Sequence, residues 1–265
     1  MNLMSKTALA TLALIASTAA LAQAAAPVPD YTLAYNIGAV SQYRFRGMEQ
    51  TSGAPAIQGG VDFAHKSGVY LGAWASNVSW VKDVNGATQG GYEVDLYGGY
   101  KGEIVTGLGY DLGLITYQYP GNNSGVTGTP GVGAYTKADT SEFYVGLSYN
   151  IVSFKYSQSM GDFLGNINSN ASRYFELAAN FDLGNGFTLT PHAGRQTIPN
   201  QNNAADYSDY SLTLAKDFGN GWSATVAAIA TTAKDGGFYQ TNPTYYNQNR
   251  FLGSNAAVAG VKYSF

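Results

Sequence analysis

The stretch "YNIGAVSQYRFRG", residues 35–47, sorts its side chains into two alternating rows. Aromatic and aliphatic groups form one row, and the other carries two arginines, Arg44 and Arg46. A period of two residues is typical of a β-strand with two different faces. In a soluble protein the apolar row would face a core, so the fold depends on which side of this strand is outside.

Residues 1–24 have the three parts of a secretory signal peptide. Lys6 gives a positive start, residues 7–21 form a short apolar run, and Ala22–Ala24 resembles a cleavage site. The run is too short for a membrane-spanning helix. We therefore predict export, with cleavage after Ala24, and a single domain over residues 25–265, because no linker or shift in composition divides the rest.

The composition favours strands and excludes several kinds of site. The chain has 33 Gly, 21 Tyr and 12 Phe, and only 12% of its residues are charged; aromatic residues are enriched in strands. It has no Cys, which excludes disulfides and thiolate metal sites. The net charge of −3 argues against nucleic acid as a partner. We predict no metal site and no cofactor.

The alternation recurs along the chain and predicts about twelve strands. The candidates are residues 31–46, 55–65, 68–80, 91–101, 107–119, 141–149, 151–159, 172–183, 186–196, 208–218, 221–232 and 254–265. Their connections alternate between short turns, such as "LGNGF" (183–187), and long polar loops. Short turns at one end, long loops at the other and an even strand number are typical of an outer-membrane, antiparallel up-and-down β-barrel.

In such a barrel the apolar rows face lipid and the polar rows face a water-filled lumen. An arginine on the lipid side at mid-depth would cost about 2–4 kcal/mol, which assigns Arg44 and Arg46 to the lumen. The same parity predicts a charged pore lining of Arg44, Arg46, Asp62, Glu93, Asp95, Lys101, Asp111, Glu142, Lys155, Glu176, Asp182 and Lys262. Aromatic residues near the strand ends predict interfacial girdles: Tyr31, Tyr43, Phe45, Trp80, Tyr92, Tyr149, Phe187, Trp222 and Tyr263.

Three further features carry predictions about the lumen. The longest loop, 120–139, is a candidate constriction through Asn122, Asn123, Tyr135, Lys137 and Asp139. His192 points inward by parity and is expected to form hydrogen bonds in the lumen rather than to bind metal. Pro191, in mid-strand, predicts a local bulge or else marks an error in the strand register.

The chain ends in "VAGVKYSF", with Val261, Tyr263 and Phe265 on one face. It resembles the C-terminal assembly signal of Gram-negative outer-membrane barrels, which implies the barrel-assembly machinery as a partner. The stretch "SQYRFRGMEQTSGAPAIQGGVDFAHKSGVYLGAWASNVSW" (41–80) resembles the start of the TorF-type porin family. The sequence departs from that family's pattern at Gln42 and at Met48-Glu49. The resemblance implies an outer-membrane barrel and does not imply a particular solute.

Together these features predict a porin-like channel that passes small hydrophilic solutes by passive diffusion, screened by lumen size and charge. Its other expected partners are outer-membrane lipid and lipopolysaccharide, and it could form a homo-oligomer. A non-conducting barrel that displays its loops for adhesion or as a receptor is the first alternative. An outer-membrane enzyme is the second, and we do not expect one, because no catalytic serine is predicted beside His192 on the outer face.

Overall fold

The computed structural model describes residues 29–236, 238–244 and 249–265, so the predicted signal peptide lies outside the described residues. Almost all regular structure is β-strand. The elements are β1 (Tyr31–Val40), β2 (Arg44–Phe45), β3 (Met48–Glu49), β4 (Ala56–His65), β5 (Val69–Asn77), α1 (Trp80–Asp83), β6 (Tyr92–Val105), β7 (Leu108–Gln118), β8 (Thr140–Tyr149), β9 (Val152–Ser159), β10 (Arg173–Ala179), β11 (Phe181–Gly184), β12 (Phe187–Thr197), β13 (Tyr207–Gly219), β14 (Trp222–Thr231) and β15 (Ala256–Ser264). No helix among the described residues is long and apolar enough to cross a membrane.

The strands form a closed ring in which every neighbour is antiparallel. Each wall strand pairs with the next along the chain, β1 pairs with β15, and β10 pairs with β12 as well as with β9. The segments β10 and β11 both lie beside β12 and form one wall strand, so the ring has twelve strands. The predicted twelve-strand up-and-down barrel is confirmed.

Short and long connections lie at opposite ends of the barrel, called here the turn end and the loop end. At the turn end, Asn150, Asn185 and Asn220 adopt positive φ angles of 53°, 51° and 51° in two-residue turns. Asparagine tolerates this left-handed conformation, as hairpin turns require. The loop end carries six long loops: L1 (41–55), L2 (78–91), L3 (119–139), L4 (160–172), L5 (198–206) and L6 (232–255).

The two faces of the wall differ as the sequence parity predicts. Leu96 on β6 is 50% exposed and Phe175 on β10 is 43% exposed, both on the outer surface. Glu93, three residues from Leu96 on the other face, is 1% exposed. An apolar outer surface around a polar interior is the pattern of a barrel whose solvent is lipid on the outside.

The predicted first strand, 31–46, is too long. β1 ends at Val40, and L1 then turns into the barrel. Tyr43 and Phe45, predicted to face lipid as part of a girdle, lie inside, where their rings contact Trp74 and Tyr117 at centroid distances of 5.4 and 5.3 Å. Burying these rings against interior aromatic side chains removes them from water without exposing Arg44 to lipid.

Two other local predictions were wrong. Trp80, expected in a girdle, begins α1 inside the loop end, where its ring contacts Tyr119 at 5.2 Å. Pro191 causes no bulge, because the register of β12 with β13 is continuous through it. The strand beside it is interrupted instead: β10 and β11 are separated at Asn180, and proline has no N–H to donate to that ladder.

Candidate functional site

A small hairpin of L1 occupies the interior of the barrel at the loop end. Strands β2 and β3 pair through Phe45 and Met48, and Arg46 and Gly47 form the two-residue turn between them. Their φ angles are 48° and 79°, as type I′ turns require. A left-handed backbone conformation at a residue such as arginine costs on the order of 1 kcal/mol of conformational free energy, so contacts with the surroundings must hold it in place.

The tip of the L1 hairpin reaches the opposite wall. The Arg46 guanidinium donates to both oxygens of Glu142 on β8, at 3.0 and 2.6 Å, and to Gln196 on β12 at 2.9 Å. Strand β8 lies five positions around the ring from β1. The hairpin therefore spans the lumen, and the side chain of Arg46 is only 7% exposed.

Aromatic rings complete the environment of Arg46. Its guanidinium lies 4.3 Å from the ring centroid of Tyr174 and 5.5 Å from that of Phe163, and Tyr207 donates to its backbone carbonyl at 2.9 Å. Burial, the largest single effect, lowers the pKa of the guanidinium, but Glu142 together with Tyr117 and Tyr174 raises the pKa above its ordinary value. Arg46 is therefore a permanent cation held by side chains of three wall strands, β8, β10 and β12.

Arg44 also lies inside the barrel, but in L1 rather than on the wall strand where it was predicted. Its Nη1 donates to the carbonyls of Leu252 and Ser254 in L6, at 2.9 and 3.0 Å. Glu49 on β3 is fully buried and forms an ion pair with Arg250 of L6 at 2.7 Å. These contacts bind L1 to L6 at the base of the hairpin.

A third contact holds L1 from the side. The Tyr43 hydroxyl donates to Oε1 of Glu93 on β6 at 3.0 Å. Burial, followed by the nearby charge of Glu93, raises the pKa of the Tyr43 hydroxyl well above its ordinary value, so it remains a donor. Glu93 and its neighbour Asp95, 8% exposed, each have one buried carboxyl oxygen with no hydrogen-bond partner among the described residues.

Apolar packing closes the space above the L1 hairpin. The largest buried cluster joins L1, L2, L3, L6 and the wall through Met48, Val78, Trp80, Val81, Ala87, Tyr117, Tyr119, Ala138, Tyr207 and Leu252. A second, smaller cluster of Phe163, Ile198 and Ala205 packs against Phe45. Between the clusters lies a mainly apolar cavity of about 60 Å³, lined in part by Phe45, Trp80 and Phe163. Side chains thus pack the interior of the loop end, and an open surface pocket of about 450 Å³ lies above them between L2, L3 and L6.

The predicted pore-lining carboxylates face inward, and most are engaged by other side chains. Asp62 accepts from Tyr97, and Asp111 accepts from Tyr70 at 2.5 Å. Glu176 forms an ion pair with Lys155 at 3.8 Å. Asp182, near the turn end, accepts from the backbone N–H of Gly184 at 2.8 Å.

Two inward lysines of the predicted lining are exposed, as Asp182 near the turn end also is. Lys101 on β6 and Lys262 on β15 are exposed, although their strand positions point into the barrel. An inward side chain can be exposed only where the lumen holds water. The turn-end half of the barrel is therefore a water-accessible vestibule, in contrast to the filled loop end.

The candidate constriction in L3 folds over the loop end. Asn123 contacts L2 by donating to the Thr88 hydroxyl at 2.8 Å, and Asp139 accepts from the backbone N–H of Tyr119 at 2.8 Å. Asn122 is buried, Tyr135 is half-buried and Lys137 is exposed. The segment that crosses to the opposite wall is the L1 hairpin, and the role given to L3 stays a prediction.

His192 faces the lumen as expected. Its Nδ1 lies 3.6 Å from Asp209, its Nε2 lies 3.9 Å from Glu176, and the hydroxyl of Tyr174 is 3.4 Å away. Ser211 is its cross-strand neighbour, but no hydrogen bond joins the two within the described ranges. Among those residues no group of three or more His, Asp or Glu side chains could hold a metal ion.

Sequence reasoning missed Tyr43, Glu49 and Arg250 as parts of the site. It placed Tyr43 on the lipid side because the alternation of β1 continues without a break through the L1 hairpin. The dipeptide Arg46-Gly47 was an available signal, since a glycine in a two-residue connection between extended segments is typical of a hairpin turn.

These features define a porin-like barrel of the outer-membrane type, with a wet vestibule and a loop-filled mouth. The chain belongs to the bacterial family described as "Bacterial protein of unknown function (Gcw_chp)", whose model matches residues 22–265. That description does not include the TorF name, which remains a resemblance. No curated protein matches the chain.

Solved porins share the fold. The KdgM porin superposes with a TM-score of 0.52 at 8% identity, covering 88% of this chain and 99% of its own. A second structure, "KdgM porin in complex with disordered oligogalacturonate", has a TM-score of 0.51 and 8% sequence identity, and the match covers 88% of this chain and 98% of that one. The NanC porin has a TM-score of 0.51 and 11% sequence identity, and the match covers 88% of this chain and 99% of that one. At these identities the likeness concerns the fold alone.

Proposed function

We propose that this protein is an outer-membrane channel for passive diffusion of small hydrophilic solutes, and that the L1 hairpin closes its extracellular mouth at rest. The turn end is then periplasmic, as in outer-membrane barrels in general. The observation that carries the proposal is the contrast within one lumen. Lys101 and Lys262 are exposed inside the turn end, whereas Arg46 is buried at the loop end.

Two observations support a mouth that opens rather than a permanent seal. The L1 hairpin is attached to the wall by hydrogen bonds that involve side chains, and it has no strand pairing with the barrel, because β2 and β3 form a separate two-stranded sheet. Its turn also contains a left-handed arginine, a conformation that persists only while surrounding contacts hold it. The hairpin can therefore leave without breaking the ring.

Planar-bilayer conductance tests the proposal. The full chain is compared with a variant in which residues 43–50 are replaced by a short glycine-serine linker. We expect brief or small openings from the full chain and a conductance roughly tenfold larger from the variant, because the wide lumen of a twelve-strand barrel is then unobstructed. Liposome swelling with sugars of increasing size gives the size limit. Silent traces from both proteins would contradict the proposal.

The packed mouth also favours a second candidate, a non-conducting barrel that presents its loops to a partner. Its supporting observation is the buried cluster that joins four loops around Trp80. This candidate predicts that removal of the L1 hairpin leaves the bilayer silent, so the same experiment separates the two functions.

A further inference from the structure

Glu93 and Asp95 form a buried acidic pair beside the L1 hairpin. They lie two residues apart on the inward face of β6, are 1% and 8% exposed, and their carboxyl groups are within hydrogen-bonding reach of each other. Both groups are acceptors when ionised, so neither can satisfy the other. This matches the unpartnered oxygen found on each of them.

Among the described residues, the titratable groups that face the acidic pair are tyrosines and one further carboxylate. Tyr43 of L1 and Tyr119 of L3 lie against Glu93. The titratable groups near Asp95 are Tyr97 of β6, Tyr117 of β7 and Glu142 of β8. No ion pair involves Glu93 or Asp95 within the described ranges, and Arg46 is held by Glu142. Two adjacent anions would here be buried without a counter-charge.

One proton resolves this arrangement. Two contacting carboxyl groups in a poorly solvated site cannot both ionise at low cost, and they hold a shared proton as a unit. A protonated carboxyl becomes a donor to its neighbour. A cation is the less favourable solution, because calcium takes about 6–8 oxygen ligands and magnesium needs a full octahedron, while no group of three or more metal-ligating side chains occurs in the described part of the chain.

We propose that the acidic pair is a proton-binding site that controls the L1 hairpin: with the proton bound the hairpin is held, and loss of the proton at higher pH releases it. The link is the cover that L1 places over the pair, where the Tyr43 hydroxyl donates to Glu93 at 3.0 Å. That hydrogen bond alone would favour an ionised Glu93, but burial under L1 disfavours charge on both carboxyls. When both ionise, they repel each other and need water, which reaches them only if Tyr43 and the rest of L1 move away. This inference rests on the proposed channel, because it adds regulation to its mouth.

A single-cysteine reporter tests the inference without relying on conduction. The chain has no Cys, so Met48→Cys places one thiol on the buried face of the L1 hairpin. Maleimide labelling of this thiol in liposomes is followed between about pH 5 and about pH 10, a range that covers raised carboxyl titrations. Rates are divided by those of Thr127→Cys, an exposed position in L3, which removes the intrinsic pH dependence of the thiol.

We expect the normalised labelling rate to rise roughly tenfold with increasing pH, as the released state gains population. Glu93→Gln together with Asp95→Asn should keep labelling slow at every pH. The amide groups are neutral, and their N–H groups donate hydrogen bonds at any pH, whereas a carboxyl donates one only when it is protonated. Glu103→Gln, an exposed carboxyl on the same strand and face, is the matched control and should keep the original pH profile.

Three outcomes would overturn the inference: a flat profile in the reporter protein, an unchanged profile in the double variant, or labelling that follows added calcium or a chelator instead of pH. Conductance measured in parallel separates this inference from the proposed function. Labelling that switches with pH in a silent barrel would reject the channel and keep the proton site. A conducting barrel with pH-independent labelling would keep the channel and reject the proton site.

Discussion

Arg46 and Glu142 form a two-point ion pair across the barrel, with Nη1 3.0 Å from Oε1 and Nη2 2.6 Å from Oε2. One partner is at the tip of a hairpin that starts from β1, and the other is on the far wall. Both side chains are removed from water, and their other hydrogen-bond partners, Gln196 for Arg46 and Tyr117 for Glu142, are neutral, so breaking the pair leaves a buried charge without a counter-charge.

The first prediction concerns the energy of this pair. Arg46→Ala leaves Glu142 buried without a counter-charge and should lower the free energy of unfolding by about 3–5 kcal/mol. Arg46→Met combined with Glu142→Leu removes both charges and should cost much less. Urea unfolding in lipid vesicles measures both values.

Arg195 provides the control for the first prediction. Its side chain is 49% exposed and pairs with Asp206 at 3.6 Å. An exposed pair of this kind contributes at most about 1 kcal/mol, so Arg195→Ala should be close to neutral. Equal losses for Arg46→Ala and Arg195→Ala would show that the ion pair does not hold the hairpin.

The second prediction concerns the fit of the hairpin tip. A Cβ at Gly47 would lie 2.7 Å from Asp209 Cβ and 2.8 Å from Thr231 Cγ2, so Gly47→Ala should push the tip away from the wall and increase conductance. Gly184→Ala is matched in backbone strain, because both φ angles are 79°, but a Cβ at Gly184 meets nothing within 4 Å. Similar conductance changes in the two variants would count against a tight fit at the tip.

The third prediction tests the lipid-facing surface. Leu96→Arg places a charge in the middle of β6 on the outer face and should destabilise the folded barrel in lipid by about 2–4 kcal/mol. Tyr92→Arg, at the loop-end start of the same strand and 66% exposed, should cost about 0–1 kcal/mol, as expected near an interface. Refolding yield and unfolding in vesicles report both effects, and a depth-independent cost would argue against this membrane placement.

The fourth prediction concerns charge screening in the vestibule. Replacing Lys101 and Lys262 with Ala removes two exposed inward cations and should shift the reversal potential in a salt gradient toward cation preference. The measurement is made in the variant without the L1 hairpin, where current is largest. Lys66→Ala, an exposed lysine that pairs with Asp30 in the first short turn, is the control and should leave the reversal potential unchanged.

The barrel wall was predictable because lipid and lumen impose opposite demands on successive residues. Asp95 and Leu96 are adjacent on β6 and point to opposite faces. A carboxylate in lipid would cost free energy, and so would a leucine in a water-filled lumen, so each residue fits only one face. The resulting alternation identified the twelve strands, most of their boundaries and both faces.

The L1 hairpin could not be predicted from the same signal. Tyr43 and Phe45 continue the alternation of β1, and a period of two does not distinguish a wall strand from a hairpin that folds back inside. Their burial depends on Trp74 and Tyr117, which approach only after the ring has closed. The partners of Arg46 are likewise remote, since Glu142 lies 96 residues away along the chain.

The pairing of β1 with β15 has a mechanical consequence. This ladder joins five residue pairs, Asn36–Val40 with Gly260–Ser264, and backbone hydrogen bonds between Tyr35 and Phe265 and from Ser41 to Ala259 extend it at both ends. The ladder between β1 and β4 joins ten pairs. The short ladder is the join between the first and last strands of the ring. A sideways pull on the wall should therefore separate β1 from β15 more easily than from β4, and the chain cannot close the ring during folding until β15 is in place.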